Sequence, residues 1–515
     1  MPPLRGEEAL CFYVFSVKLV PLVDPLNLIL GCQLFEYVVM INREVSTPLS
    51  SQIYQQYREA ILKRRIPEGE RLPSSRQLAV SLSVSRNTVN TAYDLLRSEG
   101  LVDVRSGARP EVVALPEVEG ASAEGSVRET APPLSSRGQR FARNHRYTSP
   151  DGRGSSMQPG EPSRALFPKE QWARSLRRAA RLLNGNALGY EHTSGLPELQ
   201  RVLAQYLAQE RGVVCSPEQV LAFPTTQSAL SLMSQCFSEE GDVALLEEPG
   251  YLGARSAFVA AGLNVRALSE IEQVKRASLI YVTPSHQYPT GRRMEMGERL
   301  TLLKQANERG AVILEDDYDS EFLFEGRPIA ALQGLSDRHS VIYIGTSAKS
   351  LMPGIRLAYA VVPKEHVEGL ELAQRASGAL TNVHVQMAFA DFIESGHFRA
   401  HLNKIRSAYH DNGVALCQLI SERFGNQVGV SMPTGGLQTC FYLPETCDDV
   451  AVADVMNQKG FGVNPLSVFY LGEPKRGLIV GFAEANEKLR EGFVRTLEMA
   501  LKVTGDRLAS SAELN

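Results

Sequence analysis

Apolar residues recur along this chain with three different spacings, and the changes of spacing divide it. Over residues 48–107 they fall at helical intervals in three short runs. Ile53, Tyr57, Ile61 and Leu62 form one face, ended by the breaker Pro67-Glu68-Gly69. Leu78, Ala79 and Leu82 form a second, capped by Ser74 or Ser75. Val84-Ser85 reads as a turn, and Ser85 as the cap of a third helix with Val89, Ala92, Tyr93 and Leu96 on its inner face. Arg86, Asn87 and Asn90 are then left outward near its start.

Residues 114–162 carry no sustained apolar period and are rich in Gly, Ser, Pro, Glu and Arg, which predicts a flexible linker. A helix over 169–183, with Trp172, Leu176, Ala179 and Ala180 on one side, opens the next region. Short apolar runs at 243–246, 279–282, 312–314 and 341–344 suit buried parallel strands between helices, hence an α/β fold. A helix is expected over 386–402. Residues 428–482 read as a smaller α+β part with antiparallel strands at 437–443 and 477–482. The expected division is 1–45 as an N-terminal extension, 46–113 as a small helical domain, 114–162 as linker and 163–505 as the large domain with its smaller C-terminal part.

Composition agrees with this division. A chain of 515 residues, 43% hydrophobic, has room for two or more domains and a large core. Residues 46–109 hold ten Arg or Lys against six Asp or Glu, a net +4. The whole chain is −4, so the remainder is −8. Basic charge is concentrated where phosphates would be met. The seven cysteines are scattered, with no CxxC pair and no metal-like cluster. The odd count favours a reduced, cytoplasmic setting over a disulfide framework, and no metal site is expected. The apolar runs at 10–23 and 26–41 are broken by Lys18, Asp24, Pro25 and Glu36. Neither makes an uninterrupted span of about 20 residues, and no cleavage-site pattern marks a signal peptide. Met40 is the expected start, with residues 1–39 an over-extension of the reading frame.

The chemistry is concentrated in GTSAKSLMPGIR, residues 345–356. Lys349 follows Gly345-Thr346-Ser347, small residues that let a phosphate approach the backbone, and Arg356 comes seven positions later. Upstream, AVILEDDYD (311–319) is apolar and then sharply acidic. A lysine that forms a Schiff base needs a phosphate anchor and a carboxylate facing a pyridine nitrogen, and both are offered here. That is the chemistry of pyridoxal 5′-phosphate, PLP. Alone, such a lysine is more often a solvated loop residue, and an acidic run more often a solvated strand end. An ordered series of further segments weighs against those readings.

From about residue 166 to 501 the chain resembles fold-type I aminotransferases, the aspartate aminotransferase class. The resemblance implies a role for each matching residue. Tyr190, in GYEHTSGL, resembles the tyrosine that reaches the phosphate of the neighbouring subunit's cofactor, implying a homodimer. Thr225-Thr226-Gln227 opens an amphipathic helix whose N-terminus suits a phosphate. Tyr251, in EEPGY, matches the aromatic that stacks on the pyridine ring, and His286 lies in TPSHQYPTG, the counterpart of an NPTG loop. Asp316 would hold the pyridine nitrogen protonated and Tyr318, two positions on and so on the same strand face, would bond the ring hydroxyl. Thr346 and Arg356 would complete the phosphate cup.

Upstream, LPSSRQLAVSLSVSRNTVNTAYDLLRSEGLVDV is similar to the winged helix-turn-helix of GntR regulators. That similarity implies a double-stranded DNA operator as partner, with Arg76 and Arg86 as the foremost contacts beside Ser75, Asn87 and Asn90. Asn90 stands where many relatives have arginine, and the wing RSGARPEVV departs from the glycine-rich GSGTFV tip. A GntR reader ahead of an aminotransferase fold resembles the MocR family of transcriptional regulators.

Three functions compete: a regulator whose DNA binding is switched at a PLP site, a working aminotransferase with an accessory DNA reader, and a DNA-binding protein whose large domain only dimerises. Lys349, Asp316, Tyr318 and Arg356 argue against the third. Amino-acid transaminases of this fold clamp the substrate carboxylate with an arginine in a string like LRLGF. Here the string is LIVGF, so Ile479 takes that place, and Arg476 would face the other side of the strand. The expected protein is a regulator with little or no turnover that senses PLP itself, as relatives controlling vitamin B6 synthesis do. The alternative effector is an amine or amino acid held by another cation.

Overall fold

The computed structural model describes residues 37–512, apart from 106–107, 117–131, 143–155, 184, 190–193, 325, 327–328 and 337–339. Tyr190 and nearly all of the two N-terminal apolar runs therefore lie outside the described residues. The chain divides into two units, residues 1–131 and 132–515.

The first unit is built on three helices, Leu49–Leu62, Ser75–Ser81 and Arg86–Ser98. Ile53, Tyr57 and Ile61 are buried as their spacing predicts, but Leu62 is exposed at the helix end and Ala60 fills the core in its place. Of the two candidate caps it is the Ser74 hydroxyl that accepts the Gln77 N–H, at 3.2 Å. The Ser85 hydroxyl accepts the Thr88 N–H at 3.1 Å and starts the third helix. Val89, Ala92, Tyr93 and Leu96 are all buried beneath it. Two-residue strands Val102–Asp103 and Glu111–Val112 pair antiparallel as a small wing. The core also reaches back past residue 46: Val39 is buried in it and Tyr37 and Ile41 pack against it. The Met40 and Asn42 N–H groups bond the Gln56 and Gln52 side chains, at 2.9 and 2.8 Å.

The second unit holds a seven-stranded sheet. Its order is Val220–Phe223, Ala358–Val361, Val341–Thr346, Val312–Asp317, Leu279–Val282, Val243–Leu246, Asn264–Ala267. Ala358–Val361 runs antiparallel to both neighbours and every other pairing is parallel. The sheet is buried on both faces, as its continuous apolar runs predict. Leu246, Tyr281 and Leu314 face the helices Thr226–Cys236 and Leu252–Ala261, while Leu245, Ile280 and Ile313 face Met296–Arg309. A smaller antiparallel sheet orders Gly429–Val430, Gln438–Tyr442, Gly477–Gly481 and Asn464–Pro465.

Three expectations are corrected. The single helix over 386–402 is two, Val383–Glu394 and His397–Phe424, separated by Gly396 at φ +73°, a conformation open to glycine at little cost. Three strands of the large sheet were not marked by an apolar run: Ala358–Val361 holds two alanines, Asn264–Ala267 is an edge strand carrying Asn264 and Arg266, and Val220–Phe223 is the strand at the opposite edge. Part of the linker is also ordered. Ser136–Ala142 is helical, and Met157 is buried against the smaller sheet, its carbonyl accepting the Gly481 N–H at 2.9 Å. Among the described residues no helix is long and apolar enough to cross a membrane, and no cluster of side chains could hold a metal ion.

Candidate functional site

A cavity of about 740 Å³ opens at the C-terminal ends of the parallel strands. Alternation along Val312–Asp317 sorts its acidic end. Asp316 faces the cavity and is 4% exposed, with its Oδ2 accepting the Tyr281 hydroxyl at 2.7 Å. Asp317 points the other way, onto Arg211 Nε at 2.6 Å and the Tyr343 hydroxyl at 2.7 Å. Tyr318, just past the strand, shares the cavity with Asp316. Burial pushes the Asp316 carboxyl up to about 7, with the Tyr281 hydrogen bond opposing. Its Oδ1 is buried with no hydrogen-bond partner among the described residues. A buried acceptor left unmatched is costly, so this oxygen calls for a donor from whatever fills the cavity.

Lys349 lies in the one-turn helix Ser347–Ser350, and its ammonium donates to the Gly160 carbonyl at 2.6 Å. Thr346 caps that turn, its hydroxyl accepting the Ala348 N–H at 3.1 Å. Arg356 follows a 3-10 turn in a left-handed conformation, φ +57°, and reaches the same cavity. The Thr225 hydroxyl accepts the Ser228 N–H at 3.0 Å and starts the helix Thr226–Cys236, so a helix N-terminus borders the cavity. The Gln227 side chain donates to the Gly253 carbonyl at 3.0 Å and lines the cavity beside the helix start. Tyr251 caps Leu252–Ala261 and stacks on Tyr281, centroids 6.2 Å apart.

The structure therefore brings together Thr225, Thr226, Gln227, Tyr251, Asp316, Tyr318, Thr346, Lys349 and Arg356. It does not bring His286 into this cavity. That ring sits behind Tyr318, its Nδ1 3.2 Å from the Tyr318 hydroxyl and 2.9 Å from Asp319 Oδ2, beside a separate void of about 20 Å³. Tyr288 of the same loop lines the large cavity instead, its ring meeting Tyr251 at 5.4 Å and Tyr318 at 5.8 Å. Setting YPTG against NPTG puts Tyr288 at the asparagine, a signal the sequence carried. Gly345 also has a packing reason that the sequence did not show. A Cβ there would lie 2.4 Å from the Tyr359 ring, so the glycine admits an aromatic neighbour. Ser347 is buried, its hydroxyl donating to the Leu357 carbonyl at 2.8 Å.

Ile479 is 0% exposed among Leu252, Cys440, Leu466 and Phe469. Arg476 is tied to Asp449 at 3.3 Å. Neither is placed to receive a carboxylate in the cavity.

In the first unit, Arg76, Arg86 and Asn87 are exposed and Asn90 is half-buried. The Arg86 Nε donates to the Ser75 hydroxyl at 3.2 Å, which fixes the stem of the arginine at the start of the third helix.

Residues 160–496 match the family described as aminotransferase class I and II, and residues 49–112 match bacterial regulatory proteins of the gntR family. A probable rhizopine catabolism regulatory protein, MocR, of Rhizobium meliloti is 37% identical over 482 residues, covering 91% of this chain and 97% of its own. The pyridoxine biosynthesis transcriptional regulator PdxR of Corynebacterium glutamicum is 26% identical, covering 87% of this chain and 95% of its own. Among solved structures, the α-aminoadipate aminotransferase LysN of Thermus thermophilus, complexed with N-(5′-phosphopyridoxyl)-L-leucine, superposes with a TM-score of 0.64 at 27% identity. It covers 71% of this chain and 97% of its own.

Proposed function

We propose that this chain, which belongs to the MocR-type family of transcriptional regulators, holds PLP at Lys349 and uses occupancy of that cavity to set how its GntR-type reader binds DNA. The observation that carries the reading is the unmatched, buried Oδ1 of Asp316, in the same cavity as Lys349. PLP, when bound, supplies an aldehyde that condenses with a primary amine and a pyridine ring that withdraws electrons.

The residues fit that group. Asp316 offers an acceptor for a protonated ring nitrogen, and Tyr318 a hydroxyl for the ring oxygen. Arg356, Thr346 and the N-terminus of Thr226–Cys236 form an anion cup. Tyr251 and Tyr288 offer aromatic faces that exclude water. Lys349 is the amine. Tyr190 is read as serving the cavity of a second copy, which makes the protein a homodimer. Sedimentation showing a PLP-saturated monomer would rule that part out. The cytoplasm is the natural setting for such a reader.

Net transamination is expected to be weak or absent, because Ile479 is sealed in apolar contacts where a carboxylate clamp would stand. The relative named for pyridoxine biosynthesis supports PLP itself as the signal. The relative named for rhizopine catabolism favours a second reading, in which another small amine or amino acid joins PLP in a cavity of about 740 Å³.

The test is a PLP titration followed by absorbance. Asp316→Ala should weaken binding roughly 10- to 150-fold, the equivalent of one charge-assisted hydrogen bond of ~1.5–3 kcal/mol. Equal affinity in the variant, or no binding by the wild-type chain at micromolar PLP, would remove the basis of the reading.

A further inference from the structure

The helix Ser136–Ala142 lies in the tether that leads from the DNA reader, and it has no counterpart in the amphipathic pattern of the large unit. It nevertheless takes part in the cavity. Phe141 lines its mouth while remaining 56% exposed. The helix packs against Leu252–Ala261, and Arg140 donates to Glu240 Oε1 at 2.7 Å. The helix it packs on begins at Tyr251, and its Ser256, Ala257 and Ala260 line the same cavity. One helix therefore supports the tether and borders the space a ligand would fill.

We propose that Ser136–Ala142 is a movable wall of the cofactor cavity, with Phe141 the residue through which cavity occupancy is passed to the tether. This rests on the reading of the cavity as a PLP site. The physical argument is burial. A ring that is more than half exposed over an open cavity has little to hold it. A ligand beneath it supplies an apolar surface, so opening the helix exposes more area and becomes rarer. The Arg140–Glu240 pair is only partly covered, with the arginine side chain 27% and the glutamate 58% exposed, and serves as a latch of modest strength rather than a lock. Ligand bulk is then read directly by the segment that continues to the DNA reader, with no longer chain of contacts required.

The experiment uses the full chain and trypsin, which can cut after Arg137 and Arg140. Cleavage at these two bonds is followed by mass spectrometry, without PLP and at PLP concentrations that saturate each chain by absorbance. In the wild-type chain, PLP should slow both cuts several-fold. Phe141→Ala, saturated with PLP, should be cut as fast as its PLP-free form. Glu240→Ala, remote from the cavity lining, should be cut faster than wild type without PLP. A wild-type cleavage rate unmoved by saturating PLP overturns the proposal, and so does full protection in Phe141→Ala. If no chain takes up PLP, the cofactor reading itself fails and this inference falls with it, an outcome the absorbance trace distinguishes from the other two.

Discussion

Replacing Lys349 with alanine is expected to abolish covalent retention of PLP while leaving the fold intact. The side chain lies in a one-turn helix whose cap, Thr346, and whose buried hydroxyl, Ser347, are untouched by the change. What disappears is the one lysine among the described cavity residues. Borohydride treatment of the PLP-loaded wild-type chain should leave a pyridoxyl mass on the peptide carrying Lys349. The Lys349→Ala chain should carry none, although the Arg356 cup and Asp316 still permit reversible binding. A pyridoxyl group retained on another lysine in the variant would show that the cavity has been assigned the wrong amine.

The second large effect concerns DNA. Arg86 is exposed at the start of the third helix and its stem is held by Ser75. A fixed guanidinium at that position is suited to a base edge or a phosphate. Arg86→Ala should therefore cost ~1–3 kcal/mol in operator affinity. Loss of discrimination between operator and scrambled DNA would mark a base contact. Uniform weakening with a shallower salt dependence would mark a phosphate contact. Affinity and specificity both unchanged would mean that the helix does not enter the groove as proposed. The fold should be unaffected, because Val89, Ala92, Tyr93 and Leu96 hold the opposite face.

Where one periodicity decided an element, the sequence was legible. The inner face of the third helix was readable because four apolar residues recur at helical spacing and the cap is a serine. The acidic run that ends the central strand was readable in part. A period of two separates Asp316 from Asp317, and the structure sends one to the cavity and the other to Arg211. Its burial was less evident, because the residues that cover it come from distant segments. His286 and Tyr288 show what the sequence left undecided. Both are polar aromatics in one loop, and only the turn geometry decides which of them faces the cavity. Gly345 was read for its smallness without knowledge of the neighbour that needs it, Tyr359 on the next strand. Ser136–Ala142 was passed over because a seven-residue helix with Phe141 as its one large apolar side chain has no period to detect. Its position depends on tertiary contacts with Leu252–Ala261, which no local pattern encodes.

The account rests on a linkage between two events, cavity occupancy and DNA binding. A ligand shifts such an equilibrium only if it binds one arrangement better than the other. The most direct measurement is footprinting of the adjacent promoter by the full chain, without PLP, with PLP, and with PLP plus single amines or amino acids. The account predicts a footprint whose extent or midpoint changes on adding PLP alone, and for Lys349→Ala the same change only at higher PLP concentrations, where reversible binding fills the cavity. A footprint indifferent to PLP but altered by one amino acid, with turnover of that amino acid to its keto acid, would contradict it.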